Sequence, residues 1–102
     1  MAFIQILKAG GNANGNYPDS NGISPGPAGF VSFAGTFAGA SFSIQTLPEG
    51  LTTWIDMASS TVTTAGSVLV RLGLGEKFRV VETGAAAGTS VDIVYAAYVG
   101  GV

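Results

Sequence analysis

From residue 30 onward, short apolar runs alternate with turn-forming residues, and no helical period is present. A period of two places successive side chains on opposite faces of a strand. The pattern predicts seven strands, over residues 30–37, 40–47, 53–58, 61–64, 67–72, 78–83 and 90–98. Short strands separated by turns at this spacing are typical of sandwiches and barrels. The predicted fold class is therefore all-β, an antiparallel, jelly-roll-like β-sandwich spanning residues 30–102.

Turn residues between the strands predict sharp reversals of the chain. Pro48-Glu49-Gly50 combines a fixed φ with a glycine that accepts positive φ, and glycines also bound the turns at 73–77 and 84–88. Plain hairpins at the last two turns would place Arg71 opposite Arg79 and Leu69 opposite Val81. A Greek key that separates these strands would break those pairings but would keep each residue on its face.

The alternation assigns an inward face to the strands. Trp54, together with Ile55 and Met57, is predicted to anchor the middle of this core because a large indole buries much area. An exposed Trp54 that serves as a ligand platform is the alternative interpretation. The predicted inward set is Phe42, Ile44, Leu47, Val68, Val70, Leu72, Phe78, Val80, Val91, Ile93 and Tyr95.

Residues 1–29 differ from the rest of the chain. A short apolar strand candidate over residues 3–8 is followed by about twenty residues dense in glycine, asparagine and proline, where no regular element is expected. We predict an extended, glycine-rich N-terminal arm whose apolar tip docks on a neighbour. The alternative is a terminus without a role. The tip residues are Phe3, Ile4, Ile6 and Leu7.

Composition favours assembly. Of the 102 residues, 47% are hydrophobic and only 10% are charged, against about 25% charged residues in ordinary soluble domains. Weakly charged surface promotes association, so we expect part of the outer face to be covered by copies or by a larger partner. A soluble surface of small residues is the alternative.

The outward positions suggest where that contact lies. Leu69, Val81 and Val94 place aliphatic side chains on the outer faces of three successive strands. Arg71 and Arg79 form either a small basic spot that receives a partner's carboxylate or two solvated arginines. With the four tip residues, these five complete the candidate interface.

Little in the sequence suggests chemistry. Cysteine and histidine are absent, which removes the usual nucleophile and general base, and the six carboxylates are scattered. We therefore predict no enzyme activity, no metal and no cofactor. A net charge of −2 with four basic residues argues against nucleic acid. The N-terminal segment resembles neither a signal peptide nor a membrane span, so we expect synthesis in the cytoplasm and no membrane partner.

The order of motifs over residues 36–99 resembles small β-sandwich virion proteins of tailed bacteriophages. Those proteins carry an SPDGGTTW turn; here residues 47–54 read LPEGLTTW, with Leu47 for serine and Leu51 for the second glycine. The resemblance implies a capsid decoration or cement protein, a homotrimer on the capsid exterior that contacts the major capsid protein. A tail-fibre or head-fibre module that binds a receptor or carbohydrate through Trp54, Tyr17, Tyr95 or Tyr98 is the alternative.

Overall fold

The computed structural model describes residues 2–11, 13–23, 28–57, 61–73 and 76–98, and these residues form an all-β structure. No helix capable of spanning a membrane occurs in these ranges. The strands are β1 (Ala2–Lys8), β2 (Gly15–Tyr17), β3 (Ala28–Thr36), β4 (Ser41–Leu47), β5 (Ile55–Asp56), β6 (Gly66–Arg71), β7 (Lys77–Thr83) and β8 (Ser90–Tyr98).

The strands form two antiparallel four-stranded sheets. The first has the order β1-β8-β3-β6 and the second the order β2-β7-β4-β5. Every connection except that from β4 to β5 crosses from one sheet to the other. The predicted all-β class with antiparallel strands is thus confirmed.

The predicted hairpin register is wrong, because β6, β7 and β8 are not neighbours. Arg71 lies opposite Ala28 of β3, and Arg79 lies opposite Gln45 of β4. Turn residues identify a reversal of the chain, but they do not specify which sheet receives the next strand. The alternative, in which the strands separate and the face assignments persist, is confirmed.

One apolar layer between the sheets forms the core, and most of the inward assignments hold, whereas Leu47 lies outside the core cluster. Ring pairs join the two sheets: Phe33 and Phe42 have centroids 5.3 Å apart, and Phe78 and Tyr95 have centroids 5.0 Å apart. Leu47 and Val68 are only partly buried. The other nine predicted core residues are buried, namely Phe42, Ile44, Val70, Leu72, Phe78, Val80, Val91, Ile93 and Tyr95.

The segment around Trp54 departs from the prediction. Trp54 is half-buried and lies outside the core cluster, Ile55 is 46% exposed, and only Met57 packs against the core. In this segment β5 covers two residues and pairs only with the end of β4. Residues 61–64 are no strand either, since Val62 makes one isolated bridge to Phe42. Apolar and β-branched residues led to the prediction of strands here, but no long partner strand pairs with these residues.

The arm predicted for residues 1–29 is not confirmed. β1 pairs with β8 as an edge strand of the first sheet, and β2 pairs with β7 as an edge strand of the second. A register shift between Ile6 and Lys8 forms a β-bulge. It buries two consecutive residues, Leu7 and Lys8, whereas Ile4 and Ile6 point outward.

A buried ion pair connects the bulge of β1 to the opposite sheet. The Nζ of Lys8 lies 2.5 Å from Oε1 of Glu82 on β7 and 3.1 Å from the carbonyl oxygen of Gly11. The ammonium also lies 5.1 Å from the centroid of the Tyr17 ring and 5.7 Å from that of Phe42. The second oxygen of Glu82, Oε2, is buried without a hydrogen-bond partner among the described residues. A buried ion pair adds little stability by itself, but removing one partner leaves the other charge buried and uncompensated.

We predict that Lys8→Met lowers the free energy of unfolding by about 3–5 kcal/mol, because it leaves the Glu82 carboxylate buried and unpaired. The double variant Lys8→Met/Glu82→Leu should recover most of this loss, because no charge then remains in the apolar layer. Urea unfolding at pH 7 with an unchanged m-value measures both effects. A double variant no more stable than the single variant would contradict the prediction.

We also predict a specific alkaline destabilisation. Burial raises the pKa of the Tyr95 hydroxyl above its ordinary value of 10.0, so above about pH 10 the unfolded chain loses this proton first. The resulting stability is present below that pH and is lost as the pH rises through the folded pKa. Tyr95→Phe removes this contribution and a hydroxyl that has no partner among the described residues.

Urea midpoints of the wild type and Tyr95→Phe from pH 7 to pH 11 test this prediction. The variant should stay within about 1 kcal/mol of the wild type at pH 7 and lose less stability above pH 10. Tyr17→Phe is measured alongside, because the pKa of Tyr17 is also raised, first by burial and then by the charge of Glu82. It shows how much of the alkaline loss comes from this second tyrosine. Equal alkaline losses in the wild type and Tyr95→Phe would show that Tyr95 does not contribute.

Candidate assembly interface

The outer side of the first sheet carries a continuous apolar surface. The register places Ile4, Ala96, Phe30 and Leu69 in one row across β1, β8, β3 and β6. In the next row, Ile6 and Val94 adjoin Ser32 and Ser67, whose hydroxyl oxygens lie 2.8 Å apart. We call the six apolar side chains the outer apolar face: Ile4, Ile6, Phe30, Leu69, Val94 and Ala96.

The exposure of this face is unusual for the molecule. Among the described residues, six large apolar side chains are exposed, and four of them lie here: Ile4 at 67%, Ile6 at 66%, Phe30 at 48% and Leu69 at 42%. The remaining two, Leu51 and Ile55, lie in or beside the link between β4 and β5. Single exposed apolar residues are ordinary, whereas a contiguous group marks an interaction surface.

Local sequence explains why these side chains point outward. In β3, Val31 and Phe33 enter the core, so alternation turns Phe30 and Ser32 to the other side. In β8, Val91, Ile93 and Tyr95 are buried, which turns Val94 and Ala96 outward. Gly29, on the core side of β3, leaves room for Tyr95, because an added Cβ would lie 2.6 Å from its hydroxyl oxygen.

Two charged residues frame the outer apolar face. Arg71 is exposed at the end of β6, opposite Ala28, and Asp92 is exposed on β8, opposite Ala34. Lys8, the third charged residue on strands of this sheet, points into the core. The first sheet therefore presents an apolar centre with one cation and one anion outside it.

The outer side of the second sheet is polar and ordered by contrast. The Arg79 guanidinium lies 4.3 Å from the Trp54 ring centroid, a cation–π contact. Its Nε donates to Oε1 of Gln45 at 2.9 Å, and its Nη1 donates to the carbonyl oxygen of Ser20 at 2.9 Å. Nε2 of Gln45 donates in turn to Oδ1 of Asp56 at 3.0 Å. This network holds Arg79 and one side of the indole in place.

The structure brings together five of the nine sequence-predicted interface residues. Ile4, Ile6, Leu69, Arg71 and Val94 share the outer side of the first sheet. Leu7 is in the core, whereas Arg79 and Val81 lie on the outer side of the second sheet. Phe3 belongs to β1, and its side chain lies outside the described residues.

Sequence reasoning missed two members of the face, Phe30 and Ala96. Phe30, Val31 and Phe33 are all apolar, so alternation did not by itself say which of them faces out. The following Ser32 is the signal that could have assigned Phe30, because residues i and i+2 of a strand share a face. Ala96 is too small to stand out in any hydrophobic pattern.

The described residues assemble little catalytic chemistry. No group of three or more acidic residues suited to a metal ion occurs within the described ranges. A shallow groove lies beside the turn that follows β4, lined by residues 47–51 and Lys77. The arrangement that stands out is therefore a contact surface.

No protein-family model matches the chain, no curated protein resembles it closely enough to count as a match, and no solved structure does so either.

Proposed function

We propose that the chain is a structural virion protein of a tailed bacteriophage, a capsid decoration protein that stabilises the head by bridging capsomers. Support comes from the strand order, β1-β8-β3-β6 over β2-β7-β4-β5 with links that cross between sheets. We assign this order to the jelly roll, an architecture found in viral capsid and lectin domains. The sequence motifs over residues 36–99 point to the same class.

The outer apolar face is the observation that carries the proposal. A chain with only 10% charged residues leaves much of one sheet apolar and exposed, which is costly in water and favourable once covered. In this role no catalysis and no cofactor are needed. Each contact contributes through burial at about 25 cal/mol per Å² of apolar surface.

The proposed partners are other copies of the chain and the major capsid protein, on the exterior of the virion. A contact that is weak in one copy becomes firm when repeated, because neighbouring sites on a shell raise the effective concentration. A small domain is also stabilised by partners that bind only its folded state. Nucleic acid and membrane have no part in this proposal.

Binding to heads tests the role. Added to expanded phage heads that lack it, the purified protein should co-sediment at a saturating number of copies and raise the temperature at which the heads release DNA. Heads incubated with an unrelated small β-sandwich are the control. Failure to co-sediment at any concentration or salt would reject the proposal.

A carbohydrate-binding fibre module is the second candidate, favoured by the position of Trp54 outside the core. The half-buried indole lies beside hydrogen-bonding side chains, Gln45 and Asp56, on the outer side of the second sheet. Aromatic rings with adjacent polar groups suit ligands that are apolar on one side and polar on the other.

Tryptophan fluorescence tests this candidate, because Trp54 is the only tryptophan in the chain. If the module binds host surface glycans there, titration should change the emission saturably, and Asp56→Ala should weaken the apparent affinity about ten-fold through loss of a hydrogen bond to the sugar. Leu51→Ser, in the neighbouring link, is the matched control. Emission that does not respond to any host glycan would count against it.

A further inference from the structure

The two charges beside the outer apolar face lie on the two strands that flank β3. β3 lies between β8 and β6, Asp92 of β8 is opposite Ala34, and Arg71 of β6 is opposite Ala28. The midpoint of the two charges therefore falls on β3 at Val31, between the outward residues Phe30 and Ser32. At about 3.3 Å per residue, the charges are separated by roughly 20 Å along the strand direction.

Neither charge has a side-chain partner among the described residues. All ten charged residues are among the described ones, and neither Arg71 nor Asp92 forms an ion pair or a side-chain hydrogen bond with another described residue. The two are too far apart to pair with each other. The face thus has zero net charge, with its cation and anion on opposite sides of an apolar centre.

We infer that the outer apolar face packs against the same face of a second copy about a two-fold axis that passes over β3 near Phe30. An axis in the plane of contact, perpendicular to the line joining the two charges, places Arg71 of each copy over Asp92 of the other. A two-fold contact uses the same patch on both subunits, and that patch must complement itself. This face does so in both charge and hydrophobicity.

The resulting contact has the anatomy of a protein interface. Phe30 and Ser32 lie on either side of the axis on β3, Leu69 and Ala96 flank Phe30 on the neighbouring strands, and the Arg71–Asp92 pairs lie at the rim. An apolar centre with a polar, charged rim is the usual arrangement. Rim pairs set register and orientation more than they add affinity.

A second copy suits this face better than a different protein does. A contact between two copies requires a cation and an anion beside the same apolar patch, as Arg71 and Asp92 are, whereas a partner of another sequence does not require both signs of charge. Pairing through the first sheet also leaves the polar second sheet, with Lys77, Arg79 and Asp56, free to face a shell. The inference deepens the proposed role and rests on its requirement for contacts between copies.

Charge reversal tests the contact. Arg71→Asp and Asp92→Arg each place like charges at both rim positions, so each should weaken dimerisation about ten-fold or more at low salt. Mixing the two variants should restore association, because in the mixed pair both rim contacts again join opposite charges. Sedimentation velocity over a concentration series measures all three constants, and added salt should reduce the differences.

A second pair of variants tests the apolar centre. Phe30→Ser should weaken association about a hundred-fold or more, as expected for a central aromatic anchor. Ile55→Ser, at a similarly exposed residue of the second sheet, should leave association unchanged. Circular dichroism and urea midpoints confirm that each variant is folded before its mass is measured.

Each other outcome overturns the inference. A wild-type monomer at all concentrations, a trimer by mass, reversals without effect, or a mixture that fails to associate would each show that this face does not pair two-fold with itself. Head binding separates the failures: a monomer that still decorates heads rejects the pairing alone, and a dimer that ignores heads rejects the decoration role alone.

Discussion

The single apolar layer between the two sheets holds the sandwich together. Neither sheet is stable by itself, since a sheet must bury one face against another element. Most connections cross from one sheet to the other, so the sheets assemble together. The ring contacts of Phe33 with Phe42 and of Phe78 with Tyr95 bind them across this layer. Side chains on the outer sides of the two sheets remain available to a partner.

The buried ion pair extends this layer to the start of the chain. Lys8 enters it through the bulge in β1 and meets Glu82 of the opposite sheet. Burying a charge at such a position costs desolvation free energy, but the charge then requires a specific partner and therefore a specific register. The pair therefore helps to specify where the edge strand β1 lies, and with it the outward direction of Ile4 and Ile6.

The two outer sides of the sandwich have different chemistry. The first sheet is apolar at its centre with two unpaired charges outside it, whereas the second holds Arg79 in a network with Trp54, Gln45 and Ser20. A side whose polar groups already bind one another gains less from a partner than a side whose groups do not. This asymmetry is why assembly is assigned to the first sheet.

The pattern of apolar and polar residues was enough to predict the all-β class, most strand positions and most of the inward residues, because a period of two is a local property of the chain. The composition also showed that charge was scarce. The choice of neighbouring strands depends on long-range packing, because turn residues reverse the chain without choosing a sheet. That choice separated Arg71 from Arg79, placed residues 2–8 in a sheet rather than in an arm, and aligned Phe30 with Leu69 and Ile4. A contact surface is two-dimensional, so it appears only when strands far apart in sequence become neighbours.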